Sequence, residues 1–101
     1  MPFGDFVNQI PPLGFLGIHV ALFAVGAFFA WRSFGAGASA LGAGFSLFAA
    51  AELVYMTYHL DWTVFLFAHT IAEVLDVLAF GLVFVAATRT MLRPVAAASR
   101  A

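Results

Sequence analysis

Three long apolar stretches, separated by short polar or glycine-containing segments, dominate the chain. They cover residues 13–31, 39–58 and 62–88. About 20 apolar residues are needed to cross the hydrocarbon core of a bilayer, and each stretch reaches or nearly reaches that length. The pattern therefore predicts three transmembrane α-helices, of which the third is long enough to tilt or to protrude.

The segments between these helices are long enough only for turns. RSFGAGA joins the first helix to the second, and its glycines suit a turn. HLD joins the second helix to the third, with Asp61 placed to cap the third helix and His59 expected to be a solvated turn residue. Short connections make successive helices antiparallel. We therefore predict an all-α, integral membrane, antiparallel three-helix bundle forming a single domain over residues 1–101.

The arginines predict the orientation of this bundle. All four basic residues are arginines, and a path of three helices puts them on one side of the membrane: Arg32, Arg89, Arg93 and Arg100. The positive-inside rule makes that side cytoplasmic, so the C-terminus is expected inside and the N-terminus outside. The N-terminal MPFGDFVNQIPP lacks Lys and Arg, so we expect the first apolar segment to be retained rather than cleaved as a secretory signal. The predicted location is the cell membrane, in a multi-pass topology.

Composition agrees with a bilayer environment. Apolar residues make up 64% of the 101 residues and charged residues only 9%, whereas a soluble domain carries about 25% charged residues. A chain this short has too little interior to bury so much apolar surface, which must face lipid or other subunits. The net charge of −1 without a basic patch argues against a nucleic-acid partner. The absence of cysteine excludes thiolate metal sites and thiol catalysis within this sequence.

Three of the five acidic residues lie inside the predicted membrane segments, and no Lys or Arg does. They are Glu52, Glu73 and Asp76. A charged side chain at the bilayer centre costs about 2.5–3.5 kcal/mol on insertion scales. These acids must therefore be protonated, paired with histidine, bound to a metal, wetted by a cavity, or matched by a partner protein.

Two histidines are predicted to lie at the same depth in the membrane as one of these acids, so that the three residues form a layer. His19, Glu52 and His69 each lie about seven residues from the outer end of their predicted helix, roughly 10 Å deep. His69, Glu73 and Asp76 follow one another at i, i+4 and i+7, which places them on one face of the third helix. The layer is expected to point into the bundle or into an assembly interface.

This layer predicts a transition-metal site in the outer leaflet. Imidazole and carboxylate together suit zinc, copper or iron. The expected ligands are His19, Glu52 and His69, with Glu73 as a fourth ligand or as the acceptor of an imidazole N–H. None of their spacings matches an established motif such as HExxH.

Three other functions fit the same residues. His19 and His69 come from two helices at similar depth, which suits a haem iron held from both sides or a chlorophyll-type pigment. Acids and histidines along a membrane helix also suit a proton or ion relay without a cofactor. The polar groups can instead specify packing, as in an accessory subunit of a larger energy-converting complex. Three helices bury little polar surface, so we expect a homo-oligomer or a subunit of a larger membrane complex. No arrangement of serine, histidine and an acid in the sequence resembles that of a hydrolase.

Overall fold

The computed structural model describes the backbone of residues 3–100 and the side chains of residues 3–89, 91 and 92. Every regular element in this part of the chain is helical. A short 3-10 helix precedes three α-helices: Asp5–Gln9, then α1 Pro12–Gly35, α2 Ser39–His59 and α3 Phe65–Arg100. The predicted all-α class is confirmed, and all three α-helices are long and apolar enough to cross a membrane.

Three helix ends differ from the prediction by more than one residue, and the largest difference is at the end of the third helix, which lies at Arg100 instead of at residue 88. The first helix continues past Trp31 to Gly35, so Arg32 lies in its last helical turn instead of in the loop. A cation is favourable there because it lies near the negative end of the helix dipole. The third helix begins at Phe65, three residues after the predicted start at 62.

The prediction that Asp61 caps the third helix is wrong. Asp61 has a positive φ of 63°, and its N–H donates to the carbonyl of Tyr58 at 3.0 Å. It therefore closes the turn at the end of α2, and three residues lie between it and the start of α3. Two of the arginines on which the predicted orientation rests, Arg93 and Arg100, have side chains outside the described residues. The orientation across the membrane stays a prediction.

The second helix lies in the middle of the fold. It packs against α1 and against α3, whereas no Cα atoms of α1 and α3 approach within 8 Å of each other in the described residues. The buried apolar side chains are all alanines: Ala30, Ala49, Ala51, Ala68, Ala72 and Ala79. Most large apolar side chains face outward instead, with Phe80 75% exposed and Phe84 72% exposed. Helices in lipid pack in this way because burial of a large apolar side chain gains nothing over lipid contact, while small residues let backbones approach.

Glycines at the α1–α2 interface permit this close approach. A Cβ atom added to Gly26 would lie 2.8 Å from Cδ1 of Phe48, and one added to Gly42 would lie 2.8 Å from the ring of Phe34. Both distances are shorter than van der Waals contact, so a larger residue would displace the phenylalanine ring or the helix that carries it. This tight interface fixes the level at which polar side chains of α1 meet those of α2.

Candidate functional site

The most buried carboxyl group in the described structure is held by a histidine. Glu52 on α2 is 6% exposed, and its Oε2 lies 2.5 Å from Nδ1 of His19 on α1. Glu52 follows the buried Ala49 and Ala51, so its backbone lies where α2 is covered by its neighbours. The two side chains share one hydrogen bond, in which either the imidazole N–H or the carboxyl O–H is the donor.

Tyr55 connects this pair to the third helix. It lies one helical turn after Glu52, on the same side of α2. Its ring stacks on the His19 ring with centroids 5.1 Å apart. Its hydroxyl group lies 3.3 Å from Nδ1 of His69 on α3. The central helix therefore contributes polar side chains toward both of its neighbours at one level.

His59 also belongs to this group, contrary to the expectation of a solvated turn residue. Its ring stacks on His19 with a centroid separation of 5.1 Å and on Phe15 at 5.4 Å with the planes 4° apart. The spacing of seven residues from Glu52, which places both on one face of α2, is the sequence signal that points to this position. We refer to His19, Glu52, Tyr55, His59 and His69 as the histidine–glutamate cluster.

The ring of His69 is supported from its own helix. Phe65, one turn earlier on α3, stacks on it with centroids 5.2 Å apart. His69 is half-buried. Since Nδ1 of His19 meets Glu52 and Nδ1 of His69 meets Tyr55, each of these two rings has its Nδ1 engaged. Neither Nε2 atom has a hydrogen-bond partner among the described residues.

The two other acids on α3 lie in different environments. Ala68, Ala72 and Ala79 form the buried stripe of this helix. Glu73 is rotated about 100° from Ala72 and is exposed, without a hydrogen bond or ion pair to any described residue. Asp76 follows Ala72 by one turn and is half-buried. A helix that packs against only one neighbour has a narrow buried stripe, which explains why the expected common face is divided.

The four predicted metal ligands are therefore not assembled as one group. His19 and Glu52 touch, His69 is reached through Tyr55, and Glu73 faces outward. Within the described residues, no group of three or more His, Asp or Glu side chains is arranged to hold a metal ion. The arrangement instead provides two hydrogen-bonded pairs, and each pair joins α2 to a neighbouring helix.

The positions of the two histidines are also relevant to the prediction that they hold a tetrapyrrole between them. His19 and His69 lie on α1 and α3, which are separated by α2. The side chain of Tyr55 contacts both histidines. A tetrapyrrole bound by these histidines stays a prediction.

Electrostatically, the cluster contains one carboxylic acid, Glu52, and no Lys or Arg. The single ion pair in the part of the chain that the structure describes is the one between His19 and Glu52. Any positive charge that balances Glu52 must therefore come from a protonated imidazole, unless the carboxyl group itself is protonated.

No protein-family model, curated protein or solved structure matches this chain.

Proposed function

We propose that the protein transfers protons within the membrane through the histidine–glutamate cluster, in an assembly of copies of this chain. The observation that carries the proposal is the direct contact of 2.5 Å between His19 and the buried Glu52. Imidazole changes charge close to physiological pH, and a carboxyl group bonded to it supplies or accepts the proton that the ring exchanges. Ionisable side chains inside a membrane segment are characteristic of proton relays.

The two hydrogen-bonded pairs define the order of transfer. A proton on His19 reaches Glu52 directly, and a proton on Tyr55 reaches His69 at 3.3 Å. Glu52 and Tyr55 share no direct hydrogen bond in the described structure. The step between the pairs therefore uses a rotation of a side chain or a bridging water, which makes a hydrogen bond nearly as favourable as a direct one.

Assembly is part of the proposal because one chain encloses no path of its own. In the described residues the first and third helices do not approach each other, so there only the second helix has two neighbours. Glu73 is exposed inside the apolar span Phe65–Arg89. A charged side chain facing lipid costs about 2.5–3.5 kcal/mol, and contact with a neighbouring copy removes that exposure. We therefore expect the outward face around Glu73 to be an interface.

Proton flux into liposomes tests this function. The purified protein is reconstituted, a potential is imposed with potassium and valinomycin, and an internal pH-sensitive dye reports proton entry. We expect flux above that of empty liposomes, and flux at the empty-liposome level for Glu52→Gln. Asp5→Asn, outside the helices that cross the membrane, is the matched control and keeps the flux of the unmodified protein. Flux of the unmodified chain equal to that of empty liposomes, or undiminished flux in Glu52→Gln, contradicts the proposal.

A metal site is the second candidate, because both Nδ1 atoms are engaged and both Nε2 atoms are not. A histidine that binds a metal through one ring nitrogen usually donates the other N–H to a carboxylate or another acceptor. In this version His19 and His69 are the ligands of zinc, copper or iron, and Glu52 orients His19. Elemental analysis of the purified protein distinguishes the two candidates, since stoichiometric metal is expected only for the second.

A further inference from the structure

A groove between the three helices contains one acid in an apolar setting. Its volume is about 340 Å³, within the range of about 300–1,000 Å³ typical of small-molecule sites. Four phenylalanines from the three helices line it together with aliphatic residues: Phe29, Phe45, Phe48 and Phe80. The single ionisable residue in its lining is Asp76. This residue is not part of the histidine–glutamate cluster.

The carboxyl group of Asp76 lacks a partner. Its Oδ1 atom is buried and has no hydrogen bond in the described structure. A polar group removed from water without a hydrogen bond is costly, and a charged one is more so. Arg89, the next cation along α3, is thirteen residues away, or about 20 Å along the axis, and cannot reach it. The chain therefore leaves an acid in an apolar groove without a counter-charge.

The aromatic lining indicates which counter-charge fits. The faces of aromatic rings carry negative electrostatic potential and attract organic cations, most strongly where water is excluded. An unpaired carboxyl group next to four phenylalanine side chains is complementary to a molecule that is apolar over most of its surface and carries one positive charge. An inorganic cation would lack the apolar surface, and an anion would be repelled.

We propose that this groove binds a lipophilic organic cation, with Asp76 as the counter-charge and the phenylalanines around its apolar body. The groove is partly open to the surface of the protein, so the ligand can enter from the surrounding lipid. This binding is separate from proton transfer and does not depend on it. It assigns a role to the one buried acidic oxygen that the histidine–glutamate cluster leaves unused.

Equilibrium dialysis of the purified protein in detergent against radiolabelled tetraphenylphosphonium tests the proposal. We expect saturable binding that tetraphenylborate, which has the same shape and the opposite charge, fails to displace. Asp76→Asn keeps the side-chain shape and removes the charge, so its affinity should fall at least about tenfold. Asp76→Glu should recover part of the loss. Glu73→Gln, an acid on the same helix outside the groove lining, should stay within about twofold.

A second variant keeps the test decisive if Asp76→Asn unfolds. Phe80 is 75% exposed, so Phe80→Leu leaves helix packing intact. Loss of one cation–aromatic contact should lower the affinity about two- to fivefold. Absence of saturable binding by the unmodified protein, unchanged affinity in a folded Asp76→Asn variant, or equal binding of tetraphenylborate would each overturn the proposal. Unchanged affinity in Phe80→Leu would do the same for the aromatic contribution.

Discussion

Replacing His19 by phenylalanine isolates the interaction on which the proposed function depends. A phenylalanine ring can keep the stacking on Tyr55 and His59 while it removes the hydrogen bond to Glu52. Glu52 is 6% exposed, so its carboxyl group then stays buried without a partner. Leaving a buried polar group unpaired costs about 1–3 kcal/mol. We therefore expect His19→Phe to lower the free energy of unfolding by about 1–3 kcal/mol.

The double variant separates loss of the bond from other effects. Glu52→Leu removes the carboxyl group but leaves an imidazole whose side chain is 17% exposed, so its cost should stay below about 1 kcal/mol. In the double variant no buried carboxyl group remains, so the two single effects should not add. The expected coupling energy is about 1 kcal/mol, in line with the measured range of hydrogen bonds between membrane helices.

Unfolding by sodium dodecyl sulfate in mixed micelles, followed by circular dichroism, provides all four free energies of this cycle. A matched cycle at Tyr55 and His69 serves as the comparison, because their separation of 3.3 Å indicates a weaker bond. It should give a smaller coupling energy than the His19–Glu52 cycle. Additivity at His19 and Glu52 within about 0.5 kcal/mol would refute the reasoning, since the contact would then contribute nothing that depends on both partners.

Three further changes test the packing and the cluster. Gly26→Ala should destabilise the protein by about 1–3 kcal/mol because its Cβ atom would lie 2.8 Å from a phenylalanine ring on α2. In the control Gly17→Ala the Cβ atom would meet nothing within 4 Å, so the free energy of unfolding should stay within about 0.5 kcal/mol of the unmodified protein. Equal effects of the two substitutions in the same unfolding assay would contradict the described interface. Tyr55→Phe should slow proton flux while keeping the aromatic ring, and unchanged flux would remove its hydroxyl group from the proposed path. If elemental analysis finds stoichiometric metal, His69→Ala should abolish its retention and Asp61→Asn should not; retention in the first variant would exclude His69 as a ligand.

The number and approximate positions of the helices could be predicted because hydropathy alone determines which segments suit a bilayer. Which helix lies in the middle could not be predicted. A helix that is apolar on all sides has no polar face to show which side meets a neighbour. Pairs of small residues four positions apart do not show it either, because Gly26 and Ala30 are buried whereas Gly17 and Ala21 are exposed. The point at which α2 crosses α1 determines which of these two pairs lies in the interface.

In the candidate site, too, depth along the helices predicts some of the contacts, and helix packing determines the others. Similar depth along the helices predicted that His19 and Glu52 lie at one level, and they are in contact. The outward position of Glu73 follows from the absence of a second neighbour for α3, which spacing along one helix does not reveal. His59 was assigned to the turn because it lies at the end of α2, although its face is the same as that of Glu52.

The three acids inside the apolar spans now have three different environments, and this difference separates their proposed roles. Glu52 is buried and paired with an imidazole, which suits a group that exchanges protons with a neighbour. Glu73 is exposed, so its stabilisation has to come from outside the chain. Asp76 has a buried oxygen without a hydrogen-bond partner next to phenylalanines, which suits a group that binds a cation. A purely structural role would predict that amide substitutions change stability according to burial, most at Glu52 and least at Glu73, without a selective loss of flux or of binding. Proton flux that is lost in Glu52→Gln but kept in Asp76→Asn, and cation binding that is lost in Asp76→Asn but kept in Glu52→Gln, would instead establish two separate sites in one small bundle.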